Sequence, residues 1–180
     1  MNRAIFLDRD GTLNEDEGYV HMLEDFKLLP GVIEGLKMLQ EHFLFFIITN
    51  QSGIGRGYYT ESQFLAFNNL VCESLKKQGI IIQKTYHCPH IYEDNCKCRK
   101  PNTFFIDQIA QGYMIDVKAS WVIGDHPSDV KLGINAECST IYICTGDGTK
   151  HFHELKEKDI NPTFIARDFL TAAHYIKKSL

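Results

Sequence analysis

The chain has 180 residues, 44% of them hydrophobic and 23% charged, with a formal net charge of −4 at neutral pH. That suits one globular domain with a sizeable core. The acidic balance argues against a general nucleic-acid binder, and no apolar run approaches the ~20 residues of a membrane helix. The first strand starts almost at once, which leaves no room for a signal peptide, so a monomer in the cytoplasm is the expectation.

Ala4-Ile5-Phe6-Leu7 reads as the first strand, and a long segment, 14–29, follows it as a flap. After Pro30-Gly31, Val32, Leu36 and Leu39 share a helical face. A strand is expected over 43–48. The next helix opens on the capping-box pattern Thr60-Glu61-Ser62-Gln63 and carries Phe64, Phe67, Val71 and Leu75 inward. A strand over 80–86 leads into a second long loop, 89–102. Beyond it come a helix over 103–111, a strand over 121–123 and a helix over 127–135 with Pro127 in its first turn. Strands over 140–143 and 163–166 follow, and a helix over 168–177 takes Asp168 as N-cap. Alternating strands and helices predict an α/β fold, a three-layer Rossmann-like parallel sheet whose ligands bind at the carboxyl ends of the strands.

Those ends carry the chemistry. The first strand runs into Asp8-Arg9-Asp10-Gly11-Thr12, with the two carboxylates on one side of an extended backbone and Arg9 on the other. The second ends in Thr49-Asn50-Gln51-Ser52-Gly53, the fourth in Gly124-Asp125-His126-Pro127-Ser128-Asp129, and Arg99-Lys100-Pro101 lies between the third and fourth. Alone, each reads as a turn or a solvated pair. Together they supply what phosphoryl transfer needs: a nucleophile, an acid/base, a divalent cation and donors to the phosphoryl oxygens. Asp8 is the expected nucleophile and Asp10 the acid/base. Asp8, Asp125 and the Asp10 carbonyl are the expected Mg²⁺ ligands, and Thr49 and Lys100 the donors. Asp129 either supports the metal indirectly, from behind its ligands, or is a charge in its helix's first turn.

The loop ahead of Lys100 holds Cys88-Pro89-His90 and Cys96-Lys97-Cys98. Three thiolates and an imidazole make a closed tetrahedral set, the pattern of structural Zn²⁺, which would fix the backbone presenting Lys100. His87 is expected to face away and be packed or hydrogen-bonded. Cys72 and Cys144 read as inert core thiols, His151 and His153 as surface residues, and residues 156–159 as a solvated helix end. Arg56 is either a second-phosphate ligand or a solvated loop arginine.

In their order, Asp8, Thr49, Lys100 and Asp125 resemble the haloacid dehalogenase-like phosphatase superfamily, over nearly the whole chain, and the lack of room for a large cap resembles its capless branch. The cysteine loop narrows the resemblance to the heptose 1,7-bisphosphate and histidinol-phosphate phosphatases. Asp16-Glu17-Gly18-Tyr19-Val20-His21 and the run from Thr49 through Gly57 look like the heptose branch. That resemblance implies removal of the 7-phosphate of heptose 1,7-bisphosphate, a step toward nucleotide-activated heptose for the lipopolysaccharide core. It also implies substrate contacts from Asp16, Glu17, Gly18, Tyr19, Asn50, Gln51, Ser52 and Arg99. Two features depart from it. The short stretch between His90 and Cys96 looks like the histidinol-phosphate branch, and His126 stands at the phosphate where the heptose branch usually has lysine. A non-enzymatic receiver domain, which takes its phosphoryl group on an aspartate after the third strand, finds none here: that strand ends in His87-Cys88-Pro89.

Overall fold

The structure is a computed structural model that describes Met1–Leu180. Its strands are β1 (Ala4–Leu7), β2 (Leu44–Asn50), β3 (Ile82–Cys88), β4 (Trp121–Gly124), β5 (Ser139–Ile143) and β6 (Phe164–Ala166). They form one sheet in the order β3-β2-β1-β4-β5-β6, with every pairing parallel. The helices are α1 (Val32–Leu39), α2 (Ser52–Gly55), α3 (Glu61–Lys77), α4 (Phe104–Tyr113), α5 (Pro127–Asn135), α6 (Phe152–Glu157) and α7 (Phe169–Lys178). None is long and apolar enough to cross a membrane.

Side-chain alternation along the strands builds two cores. Ile5, Leu7, Phe45, Ile47 and Ile123 point to one face, where α1, α3 and α7 contribute Leu36, Phe67, Val71 and Phe169. Ala4, Phe6, Phe46, Ile48 and Val122 point to the other, against Ile106 and Ile109 of α4 and Leu132 of α5. Full burial of each such Leu, Ile or Phe contributes roughly 1.5–3 kcal/mol, so the three layers hold the sheet's carboxyl edge firmly.

The caps behave as the sequence suggests. Thr60 Oγ1 accepts from the Gln63 N–H while the Gln63 side chain accepts from the Thr60 N–H, and Asp168 accepts from the Thr171 N–H at 2.7 Å. The third strand, expected from residue 80, begins at Ile82 because Ile80 closes α3 instead. With Gly79 left-handed at φ 80°, the Ile80 N–H donates to the Leu75 carbonyl and the Gly79 N–H to that of Lys76. At their other ends β2 and β3 run on to Asn50 and Cys88, which places Thr49, Asn50 and Cys88 on the ladder itself. The short helix α2 was not expected; residues 156–159, read as a solvated helix end, lie at the end of α6.

Two excursions rise from this edge. Segment 14–29 is pinned at its base by the Glu15 N–H to the Lys27 carbonyl and the Leu29 N–H to the Leu13 carbonyl, both 2.9 Å. The cysteine loop joins β3 to α4.

Candidate active site

The strand order reverses direction between β1 and β4, and such a switch point opens a crevice at the carboxyl ends. Asp8 follows β1 and Asp125 follows β4. The Asp8 N–H donates to the Ile123 carbonyl at 2.9 Å, which locks the two strand ends together. Gly11 lets the chain turn away: its φ is 76°, and a Cβ there would lie 2.0 Å from Asp125 Oδ2. That oxygen accepts the Asp147 N–H at 2.8 Å.

Lys100 reaches in from the loop. Its Nζ lies 2.6 Å from Asp8 Oδ1 and 2.5 Å from Asp129 Oδ1, with the lysine side chain 4% exposed and that of Asp129 2%. Burial disfavours the ammonium, but Asp129 and Asp8 outweigh it and hold Lys100 above its ordinary value. Asp129 Oδ2 also accepts the His126 N–H at 3.1 Å and so caps α5. Asp129 thus stands in the first turn of α5, lies beside Asp8 and Asp125, and bonds Lys100, a contact that the sequence did not announce.

Ligand oxygens of Asp8, Asp125 and Asp129 lie within 4.8 Å of one another. Burial, only partly relieved by Lys100, raises Asp8 to about 6. Burial and the charges of Asp8 and Asp129 raise Asp125 to about 9. Crowded buried carboxylates with hard oxygen donors fit a divalent cation such as Mg²⁺, whose charge would relieve the repulsion.

Asp10 does not join that cluster through its side chain. Its Oδ1 accepts from Arg9 Nε and Asn14 Nδ2, each at 2.9 Å, and its Oδ2 from Arg9 Nη2 and Gln51 Nε2, each at 2.8 Å. The sequence expectation gave Asp10 only a main-chain carbonyl in the metal site, and its side chain is absent from the carboxylate cluster. Arg9 leaves the backbone on the opposite side, as the alternation requires, but its long side chain folds back. The guanidinium is wholly buried, with its carbon 5.1 Å from the Phe64 ring centroid and 4.8 Å from that of Phe67.

Thr49 is 2% exposed, and its Oγ1 accepts Gln51 Nε2 at 2.8 Å, which leaves the hydroxyl proton free to donate elsewhere. Asn50 holds the Lys100 peptide: its Oδ1 accepts the Lys100 N–H at 3.0 Å, and its Nδ2 donates to the Lys100 carbonyl at 3.4 Å. Arg99 donates to the His90 carbonyl at 3.2 Å. The cysteine loop and the second strand end are thus tied to the residue between them.

In that loop Cys88 Sγ lies 3.5 Å from Cys96 Sγ, Cys96 Sγ 3.6 Å from Cys98 Sγ, and His90 Nδ1 3.6 and 3.3 Å from Cys88 and Cys98. A tetrahedron of ligands at ~2.3 Å has edges of roughly 3.8 Å, whereas a disulfide would need about 2.05 Å. All six cysteines are free thiols, and this donor set fits Zn²⁺.

Above these groups lies a cleft of about 570 Å³ lined by Asp8, Asp10, Thr49, Lys100 and Asp125. Of the expected substrate contacts, Asp16, Gly18, Tyr19, Asn50, Gln51, Ser52, Arg99 and His126 also line it. Glu17 is not among the lining residues; it is exposed, next to Gly18 and Tyr19, which adopt φ of 88° and 54°. Gln51 lines the cleft, but its carboxamide is spent within the protein. His126 is held near 4, chiefly by burial and then by His151 and Lys100, so it is neutral near pH 7. Its Nδ1 accepts the Ser128 N–H at 3.2 Å, which puts the proton of the neutral ring on Nε2.

Other expectations divide. His87 pairs with Glu61 at 2.9 Å and packs on Phe64, as foreseen. Arg56 is exposed and outside the cleft lining. His151, expected at the surface, is half-buried: it packs edge-on against His126 at 4.8 Å and bonds Glu154. Tyr59 also lines the cleft; only its place beside Gln51 in space marks it out.

A HAD-hydrolase-like family model matches residues 97–172. The D-glycero-alpha-D-manno-heptose-1,7-bisphosphate 7-phosphatase of Campylobacter jejuni is 41% identical over 86% of this chain and 92% of its own length. The D-glycero-beta-D-manno-heptose-1,7-bisphosphate 7-phosphatase of Helicobacter pylori strain J99 is 42% identical over 84% and 88%. Among solved structures, the D,D-heptose 1,7-bisphosphate phosphatase of B. bronchiseptica, complexed with magnesium and phosphate, superposes with a TM-score of 0.88 at 26% identity, covering 99% of both chains.

Proposed function

We propose that this chain, which belongs to the haloacid dehalogenase-like D-glycero-D-manno-heptose-1,7-bisphosphate 7-phosphatase family, removes the 7-phosphate of that sugar through an aspartyl-phosphate on Asp8. The observation that carries the reaction type is the Asp8 carboxylate in the cleft, one oxygen bonded to Lys100 at 2.6 Å and the other making no hydrogen bond to the protein. The substrate rests on the family.

The free Asp8 oxygen attacks phosphorus as the bond to the sugar oxygen breaks, and Asp10 gives that oxygen a proton. Asp10 then takes a proton from water as the water attacks phospho-Asp8, releasing inorganic phosphate and restoring the carboxylate. Lys100 and the Thr49 hydroxyl donate to the phosphoryl oxygens throughout. Mg²⁺, when held by Asp8, Asp125 and the Asp10 carbonyl, supplies charge that offsets repulsion between these carboxylates and the anionic substrate. Arg99, His126, Ser52, Asp16 and Tyr19 line the cleft, which supports their contact with the sugar and its second phosphate, while Asn50 holds the Lys100 peptide. Zn²⁺, held by Cys88, His90, Cys96 and Cys98, would stiffen the loop that carries Arg99 and Lys100. One six-stranded sheet carries every part, which supports a single domain. The free thiols suit a reducing cytoplasm, and the substrate suits a step in making nucleotide-activated heptose for lipopolysaccharide.

Phosphate release with Mg²⁺ from the α and β heptose bisphosphates and from histidinol phosphate tests this reading. We expect a heptose bisphosphate to be hydrolysed with the higher kcat/KM; preference for histidinol phosphate overturns the substrate.

A further inference from the structure

Gln51 bridges the two groups that the proposed reaction assigns to proton transfer and phosphoryl binding. Its Nε2 lies 2.8 Å from both Asp10 Oδ2 and Thr49 Oγ1, while its Oε1 accepts the Tyr59 hydroxyl at 2.6 Å. Both residues are buried, Gln51 at 2% exposure and Tyr59 at 5%. A carboxamide has one donating and one accepting end; the Asp10 carboxylate, which only accepts, takes the NH₂ end, and the Tyr59 O–H then donates to the remaining oxygen and holds the group in place. Turned over, Gln51 would set its oxygen against the Asp10 carboxylate and give up the oxygen that the Tyr59 hydroxyl now bonds.

The Tyr59 ring is itself held. His21 from the flap stacks on it at 4.7 Å with planes 13° apart. Gly53 leaves it room, because a Cβ at that position would lie 2.2 Å from Tyr59 Cε1. Burial pushes the phenol up, so it stays a donor across the working range.

We propose that Tyr59 and Gln51 form a positioning relay: the Tyr59 hydroxyl fixes the Gln51 carboxamide, and the carboxamide aims the Asp10 carboxylate and turns the Thr49 hydroxyl proton toward the phosphoryl group. This rests on the roles proposed above for Asp10 and Thr49. Gln51 acts only through Asp10 and Thr49, and Tyr59 only through Gln51. Through His21, the flap that walls the cleft packs directly on the relay's outer end.

The test uses Gln51→Met, which keeps size but removes both polar ends, Tyr59→Phe, which removes only the hydroxyl, and the double variant. Each is assayed on whichever of heptose bisphosphate, histidinol phosphate and p-nitrophenyl phosphate the wild type turns over best. A wrong substrate therefore shows in the wild-type panel, and a wrong relay shows in the variants. We expect Tyr59→Phe to lower kcat about tenfold and Gln51→Met about a hundredfold, with KM within about twofold, because the aimed groups act mainly in the transition state. In the Gln51→Met background, Tyr59→Phe should cost nothing further. Losses that multiply in the double variant, a KM rise at constant kcat, or wild-type kcat in Gln51→Met would each overturn the relay. Thermal melting of Tyr59→Phe, a loss of one oxygen, separates misaiming from unfolding.

Discussion

The carboxylates at the ends of β1 and β4 and the thiolates at the end of β3 share one edge of the sheet, and both groupings suit a cation. They suit it in opposite ways. Asp8, Asp125 and Asp129 are hard donors brought from distant parts of the chain, and they face a cleft of about 570 Å³. Cys88, His90, Cys96 and Cys98 are soft donors from a single short loop, and they complete a tetrahedron among themselves. The first set leaves positions for water and a phosphoryl oxygen; the second leaves none. In the proposed function, chemistry belongs to the oxygen site and rigidity to the sulfur site, and Lys100 lies two residues beyond Cys98 yet 2.6 Å from Asp8.

Asp8→Asn should break this division most severely. An amide of similar shape cannot form the phosphoenzyme, so kcat should fall by at least about 10⁴-fold while the melting temperature holds or rises, one buried negative charge being gone. Stopped-assay phosphate release beside calorimetry measures both, and near-normal turnover would remove Asp8 from its role. Cys98→Ser strikes the other site. We expect substoichiometric zinc by metal analysis, a lower melting temperature, and kcat reduced roughly 10- to 100-fold through a displaced Lys100. Full zinc occupancy in that variant would reject the four-ligand shell.

The smallest effect is the most diagnostic of charge. Asp8 and Asp125 are raised from 3.8 to about 6 and about 9 when no cation is present. Between those values the folded chain binds protons that the unfolded chain has released. Their contribution is complete below about pH 4 and is lost as pH rises through 6 and then 9. In magnesium-free buffer, with zinc left in place, the chain should melt several degrees lower at about pH 8.5 than at about pH 5. Added Mg²⁺ should stabilise it more at the higher pH. Greater stabilisation at the lower pH would show that these carboxylates are not its ligands.

The features legible in the sequence were the local ones. Strand ends carrying Asp8, Thr49 and Asp125, the capping box at Thr60 and the close-set cysteine loop each announce themselves within a few residues. What escaped lies at the tips of long side chains. Alternation gives the direction of a Cβ, but it did not reveal that Arg9 doubles back onto its neighbour, that Asp129 meets Lys100, or that Tyr59 finds Gln51 across a turn. His151 misled for a similar reason: its place beside His126 depends on how α6 lies over α5, which no local pattern records.

The central place of β1 has a consequence for how activity first arises. β1 is made first and gains β2 as a neighbour early, but its other partner, β4, pairs Ile5 with Trp121. On a growing or refolding chain the Asp8 edge therefore stays half-open until that distant strand docks, a slow closure by the entropy of long loops. Recovery of turnover should be among the last events of folding, which makes the enzyme's own activity a reporter that both halves of the sheet have met.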